Sequence, residues 1–204
     1  MQTGTTRKGS NRRREILDTA GHWLMNVGYD GWSMRELATS LGMTLSNLQY
    51  YFPSKDALVV DSFVESLDAL QVHIKGFRPE GKTNPTILFE LALLTLDDFR
   101  GRFGALFLMI SSLALHKDVF AGLAQRSHRR FIETARLSVS KVENTLDQVR
   151  LENAAAMIAA NFIGHLYFIH VMAPDDYLAQ REAFAATLAD HAGLLLLGVT
   201  AVDR

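Results

Sequence analysis

SMRELATSLGMTLSNLQYYFPSK, residues 33–55, spells two short helices and the tight turn between them. Ser33 stands three residues ahead of Glu36. That spacing lets each side chain bond the other's free backbone N–H at a helix start. Leu37, Ala38 and Leu41 then share one face, and Gly42 stops the helix, because only glycine turns there at low steric cost. Thr44 caps a second helix that runs to Tyr51. Pro53 breaks the chain, and Ser54 caps a third helical segment. A capped helix, a glycine turn and a second short helix make a helix-turn-helix.

With Leu37, Ala38, Leu41, Leu48 and Phe52 turned inward, the outer side of the second helix carries Thr44, Leu45, Ser46, Asn47, Gln49, Tyr50 and Tyr51. No charge occurs from Gly42 to Ser54. Amides can bond base edges, Thr and Leu can touch a thymine methyl, and Tyr can reach a phosphate. Lys55 and the free N–H groups behind it offer an anion site. Arg35 is placed for a phosphate or a guanine edge. The bland alternative is a helical hairpin whose tyrosines pack in a core.

Upstream, Ile16, Leu17, Ala20, Leu24 and Val27 form the apolar stripe of a helix from about Arg12 to Val27, closed by Gly28. Residues 1–11 are expected to be a flexible basic arm. Residues 1–55 carry a net +3 and residues 56–204 a net −4, which sum to the chain's −1. The excess sits in Arg7, Lys8, Arg12, Arg13 and Arg14, and a basic end on a neutral body suits a polyanion at that end.

These residues resemble the TetR/AcrR family of transcriptional regulators. The likeness is carried by Gly28-Tyr29, Ser33, Ala38, Gly42, Leu48, Tyr50, Tyr51, Phe52 and Lys55. It is specific over about 45 residues and implies only architecture beyond them. In that family the positions matching Arg35, Thr44, Leu45, Ser46, Asn47, Gln49, Tyr50, Tyr51 and Lys55 meet DNA. A glycine is common where Ser46 stands, so base preference is expected to differ. The resemblance implies a homodimer bound to a double-stranded operator, and a carboxy-terminal domain that senses a small molecule.

The rest of the chain is helical in period, with no alternating strand pattern, so the expected class is all-α with nine helices. Residues 1–54 form the DNA-binding domain and 55–204 a ligand-binding and dimerisation domain. Helix 4 is expected to reach Lys75, helix 5 to start at Asn84-Pro85, and helix 6 to end near Leu115. Helix 7 is expected over 118–146, helix 8 over 151–172, and helix 9 from Pro174 to Leu197. Phe63, Leu67, Phe89, Phe103, Phe107, Ile110 and Phe131, with His116, Asn161 and His165, are the candidates for a ligand pocket. Most of them are equally good as plain core.

By resemblance, helices 8 and 9 of two subunits form a four-helix bundle. Their near-continuous apolarity agrees, since such helices need cover on more than one side. Ala155, Ile158, Ala159, Phe162, Ile163, Leu166, Phe184, Leu188, His191 and Leu195 are the expected interface.

The 204 residues contain no cysteine, which excludes disulfides and suits a reducing cytoplasm. The seven histidines lack ligand spacing, so neither metal nor cofactor is expected. No nucleophile elbow, P-loop or dinucleotide fingerprint occurs, so an enzyme is not expected. Residues 153–174 carry no Asp, Glu, Lys or Arg, and about 20 such residues can span a bilayer. Asn161, His165, His170 and many alanines favour a helix buried in protein. The alternative function keeps the DNA binding but places a protein partner, with no small-molecule pocket, in control.

Overall fold

A computed structural model describes residues 7–77, 84–142 and 146–197. Among them are nine helices and no strand: α1 (Arg7–Val27), α2 (Met34–Ser40), α3 (Leu45–Tyr51), α4 (Lys55–Gly76), α5 (Asn84–Arg100), α6 (Arg102–Leu113), α7 (Asp118–Val142), α8 (Gln148–Val171) and α9 (Pro174–Leu197). The expected class holds.

The local signals act as their chemistry demands. Ser33 accepts from the Glu36 N–H at 3.2 Å, and Glu36 accepts from the Ser33 N–H at 2.7 Å. Thr44 and Ser54 cap α3 and α4 through the N–H groups of Asn47 and Ala57. Gly28 and Gly42 both adopt positive φ, at 73° and 61°, where a side chain would be strained. Ile16, Leu17, Ala20, Leu24, Leu37, Ala38, Leu48 and Phe52 are buried together and fix the angle between α1, α2 and α3.

Three boundaries move by three residues or more. The first helix begins at Arg7, so residues 7–11 are not a free arm; residues 1–6 lie outside the described residues. Two of the basic side chains are tied to the fold: Arg12 donates to the Leu41 carbonyl at 2.6 Å, and Arg13 pairs with Asp61 at 2.5 Å while covering the Phe52 ring. Leu41 and Asp61 lie 29 and 48 residues away, so counting charges along the sequence does not reveal these two bonds. The described part of helix 7 runs to Val142, and Leu146 lies outside the helix. Asp147 instead caps α8, accepting from the Arg150 N–H at 2.9 Å.

The carboxy-terminal body packs α7 on α8 and α5 on α9, with α4 and α6 bridging to the first three helices. Arg100 closes the end of α8 by donating to the carbonyls of Ile169, His170 and Met172. Arg102, two residues on, donates to the Leu17 carbonyl at 3.1 Å and lies 3.6 Å from Asp18. Gly21 makes room for it, since a Cβ there would sit 2.4 Å from the guanidinium carbon. By length and composition α8 could cross a membrane. In the folded chain its Ala154, Ala155, Ile158, Ala159 and Ile169 side is packed, and its opposite side is exposed.

Candidate nucleic-acid interface

The amide-and-tyrosine side of α3 faces outward. Thr44, Ser46, Asn47, Gln49 and Tyr50 are exposed, and Tyr50 reaches 83%. Leu45 and Tyr51 are half-buried at the edge. The Tyr51 ring meets that of Tyr50 edge-on at 5.4 Å, which orients the outer phenol without burying it. Arg35 is exposed on neighbouring α2. The inward side holds Leu48, with no accessible surface. A short, uncharged helix carrying amides and hydroxyls can enter a major groove without charge repulsion and read base edges there.

Lys55 has a different setting from the other eight. Its ammonium lies 4.7 Å from the Tyr29 ring centroid and 4.4 Å from that of Trp32, and it donates to the Trp32 carbonyl. Burial lowers its pKa below the usual lysine value. It therefore braces the α1–α2 turn against the start of α4.

Sequence reasoning missed the cluster around it. Lys117, just before α7, donates to the Tyr29 hydroxyl at 2.6 Å and to Asp56 at 3.1 Å. Tyr29 in turn donates to Asp56. The Tyr29 ring meets Phe120 edge-on at 5.9 Å, with the Lys117 ammonium 4.5 Å above it. Burial, with Asp56 accepting the phenol proton, raises the Tyr29 pKa; the bond to Tyr29 raises that of Lys117. With Arg102, this cluster fastens both ends of α6 to the first domain. Its hydrogen-bonded partners lie 27 to 88 residues apart, and no local motif announces them.

The expected ligand-pocket residues fall into three groups. Phe63, Leu67, Phe103 and Ile110 are buried in a filled core, where the rings of Phe63, Phe103 and Phe107 meet at 5.7–6.3 Å. Phe131 also touches Phe107, at 6.5 Å, and it lines a cavity of about 50 Å³. His116 is exposed, Phe89 packs against the cluster that holds Ala92, Leu96, Ile169 and Leu188, and His165 bonds the Asn161 carbonyl and meets the Phe184 ring edge-on; none of these lines that cavity. The cavity lies among α4, α5, α7, α8 and α9, and its wall includes Ile74, Leu91, Val139, Ile158, Phe162 and Leu188.

The expected dimer residues also divide. Ala155, Ile158, Ala159 and Leu188 are buried within the single chain. Phe162, Ile163 and Phe184 are half-buried and His191 is exposed. The side chains of Leu166 and Leu195 lie outside the described residues. The exposed stripe of α8 runs instead through Asn153, Met157, Ala160, Gly164, Tyr167 and Val171, with Phe168 beside it. Among the described residues no group of His, Cys, Asp or Glu could hold a metal.

Residues 16–61 match the family described as bacterial regulatory proteins, tetR family. The HTH-type transcriptional regulator RutR of Escherichia coli K12 is 32% identical over 75 residues, 37% of this chain and 35% of that protein. The match thus spans about a third of the length of this curated relative. Among solved structures, GusR of Salmonella enterica superposes with a TM-score of 0.74 at 21% identity, covering 95% of this chain and all of that one. AibR, solved with isovaleryl coenzyme A and operator DNA, superposes with a TM-score of 0.61 at 19% identity, covering 87% and 96%. At these identities the structural likeness concerns the fold.

Proposed function

We propose that this chain, whose residues 16–61 match the tetR family of bacterial regulatory proteins, is a homodimeric repressor, released from a pseudo-palindromic operator by a small, largely apolar molecule. The observation that carries the reading is the outward, uncharged face of α3. Two such faces, one per subunit, enter successive major grooves about 34–36 Å apart. Arg35, Thr44, Leu45, Ser46, Asn47, Gln49, Tyr50 and Tyr51 make the contact, and Lys55 holds its base rigid. The proposed DNA partner implies a cytoplasmic protein.

Release needs a route from the cavity to α3. Phe131 borders the cavity and touches Phe107 of α6, which packs on Phe63 of α4. Helix α6 is tied to the first domain by Arg102 and, past its end, by Lys117. An occupant that fits better when α6 has moved shifts the operator-binding spacing by its differential affinity for the two states. The cavity favours a small molecule over a protein partner as the control.

The function is tested by selecting bound duplexes from a random pool. The expected result is an inverted repeat with half-sites one helical turn apart; recovery of no preferred sequence would overturn it. Lys117→Met tests the junction. It is expected to weaken binding to the selected site about tenfold, with the dimer intact and Lys117→Arg close to the parent. Equal affinity for the Met variant, measured by anisotropy, would remove Lys117 from the route.

A further inference from the structure

Resting on the ligand-controlled reading, we propose that the effector is a compact, uncharged, hydrocarbon-rich molecule, and that the cavity among α4, α5, α7, α8 and α9 excludes carboxylates and ammonium ions. The cavity measures about 50 Å³. One water needs about 10–15 Å³ by a comparable measure, so this is not a single-water site. Its wall is almost wholly carbon. No Asp, Glu, Lys, Arg or His is among the described residues that line it.

The three hydroxyls on the wall do not change that character. Thr95 donates to the Leu91 carbonyl at 2.7 Å, Thr134 to the Arg130 carbonyl at 2.9 Å, and Ser138 to the Thr134 carbonyl at 3.0 Å. Thr134 also accepts from the Gln71 side chain at 3.1 Å. Each hydroxyl proton is thus spent on its own helix. The wall has no donor left to hold a carboxylate and no counter-charge for a cation, and an ion buried unpaired is heavily penalised. A neutral apolar occupant gains instead by covering surface that water cannot satisfy.

The test uses three probes of one ring: benzyl alcohol, benzoate and benzylammonium, titrated against the full chain by ligand-observed NMR. Benzyl alcohol is expected to bind at least about tenfold more tightly than either ion. Ala135→Leu and Ala92→Val each add bulk to the wall, and at least one that keeps its helical melting transition is expected to lose benzyl alcohol binding about tenfold. Ions that bind as well as the alcohol, or unchanged alcohol binding in the folded filled variants, would overturn the proposal. The two readings fail separately. Alcohol binding without any selected operator removes the regulator and leaves the site. Operator release by an ion alone removes the neutral class and leaves the regulator.

Discussion

Alanine at both Asn47 and Tyr50 is expected to weaken operator binding by two to three orders of magnitude while the fold and the dimer persist. Both side chains are exposed, and Tyr50 meets only the edge of Tyr51 among the described ring contacts. The Asn47 backbone N–H keeps its bond to Thr44 whatever its side chain, so the α3 cap survives. Little folding energy is therefore at stake, and surface changes of this kind usually stay within about 0.5 kcal/mol. In the complex each good base-edge contact contributes about 1–3 kcal/mol, and each 1.4 kcal/mol is about tenfold. The two single variants separate by salt. Loss of a Tyr50–phosphate contact lowers the log–log salt slope by about 0.9, whereas loss of an Asn47–base contact leaves the slope alone and relaxes the sequence preference. Anisotropy titrations at several salt concentrations read both effects. Affinity within threefold of the parent for the double variant would show that this helix does not dock. Lys55→Ala is the poorer probe, because that ammonium braces Trp32 and Tyr29 and its removal perturbs the domain itself.

The reach of the sequence ends where contacts cease to be local. Ser33–Glu36, Thr44, Gly42 and Ser54 act within four residues, so their spacing alone places α2, α3 and the outward face between them. Lys55 is expected at DNA from its place at the start of α4 and from the resemblance; its contacts with Tyr29 and Trp32, 26 and 23 residues back, have no local signal. The aromatic set is also decided by distant contacts. Phe63, Phe103 and Phe107 have the size to line a pocket, and the same size lets them fill one when α4 and α6 bring them together. The cavity is left where smaller residues meet, at Ala92, Ala135, Ala159 and Ala192. For α8 and α9, apolarity on most sides hides which side turns inward. Ala155 and Ala159 go to the protomer's own core, and the heptad-like series of Met157, Ala160, Gly164, Tyr167 and Val171 is left outside.

That outer series makes Phe168→Glu the variant with the largest expected consequence, since it should convert the dimer to a monomer and abolish operator binding at physiological salt. Met157 is 53% exposed, and Tyr167, Phe168 and Val171 are each 60% exposed, which is unusual for so many large apolar side chains on one helix. Met157, Ala160, Gly164, Tyr167 and Val171 recur at intervals of three and four residues, the geometry by which one helix packs along another. A Cβ at Gly164 would meet nothing within 4 Å in the single chain, so a partner backbone can approach closely there. Burying a glutamate in that seam without a counter-charge is costly, while in the separated protomer the same glutamate stands in water. Sedimentation should therefore show one folded subunit with helical content unchanged. Operator affinity should fall by more than about a thousandfold, because a single half-site keeps only half of the contacts and of the released counterions. Met157→Glu should act alike, whereas Ala155→Ser, inside the protomer, should lower stability and leave the association intact. A Phe168→Glu protein that remains a dimer would place the seam elsewhere on α8 and α9, and with it the spacing that sets the two α3 helices on DNA.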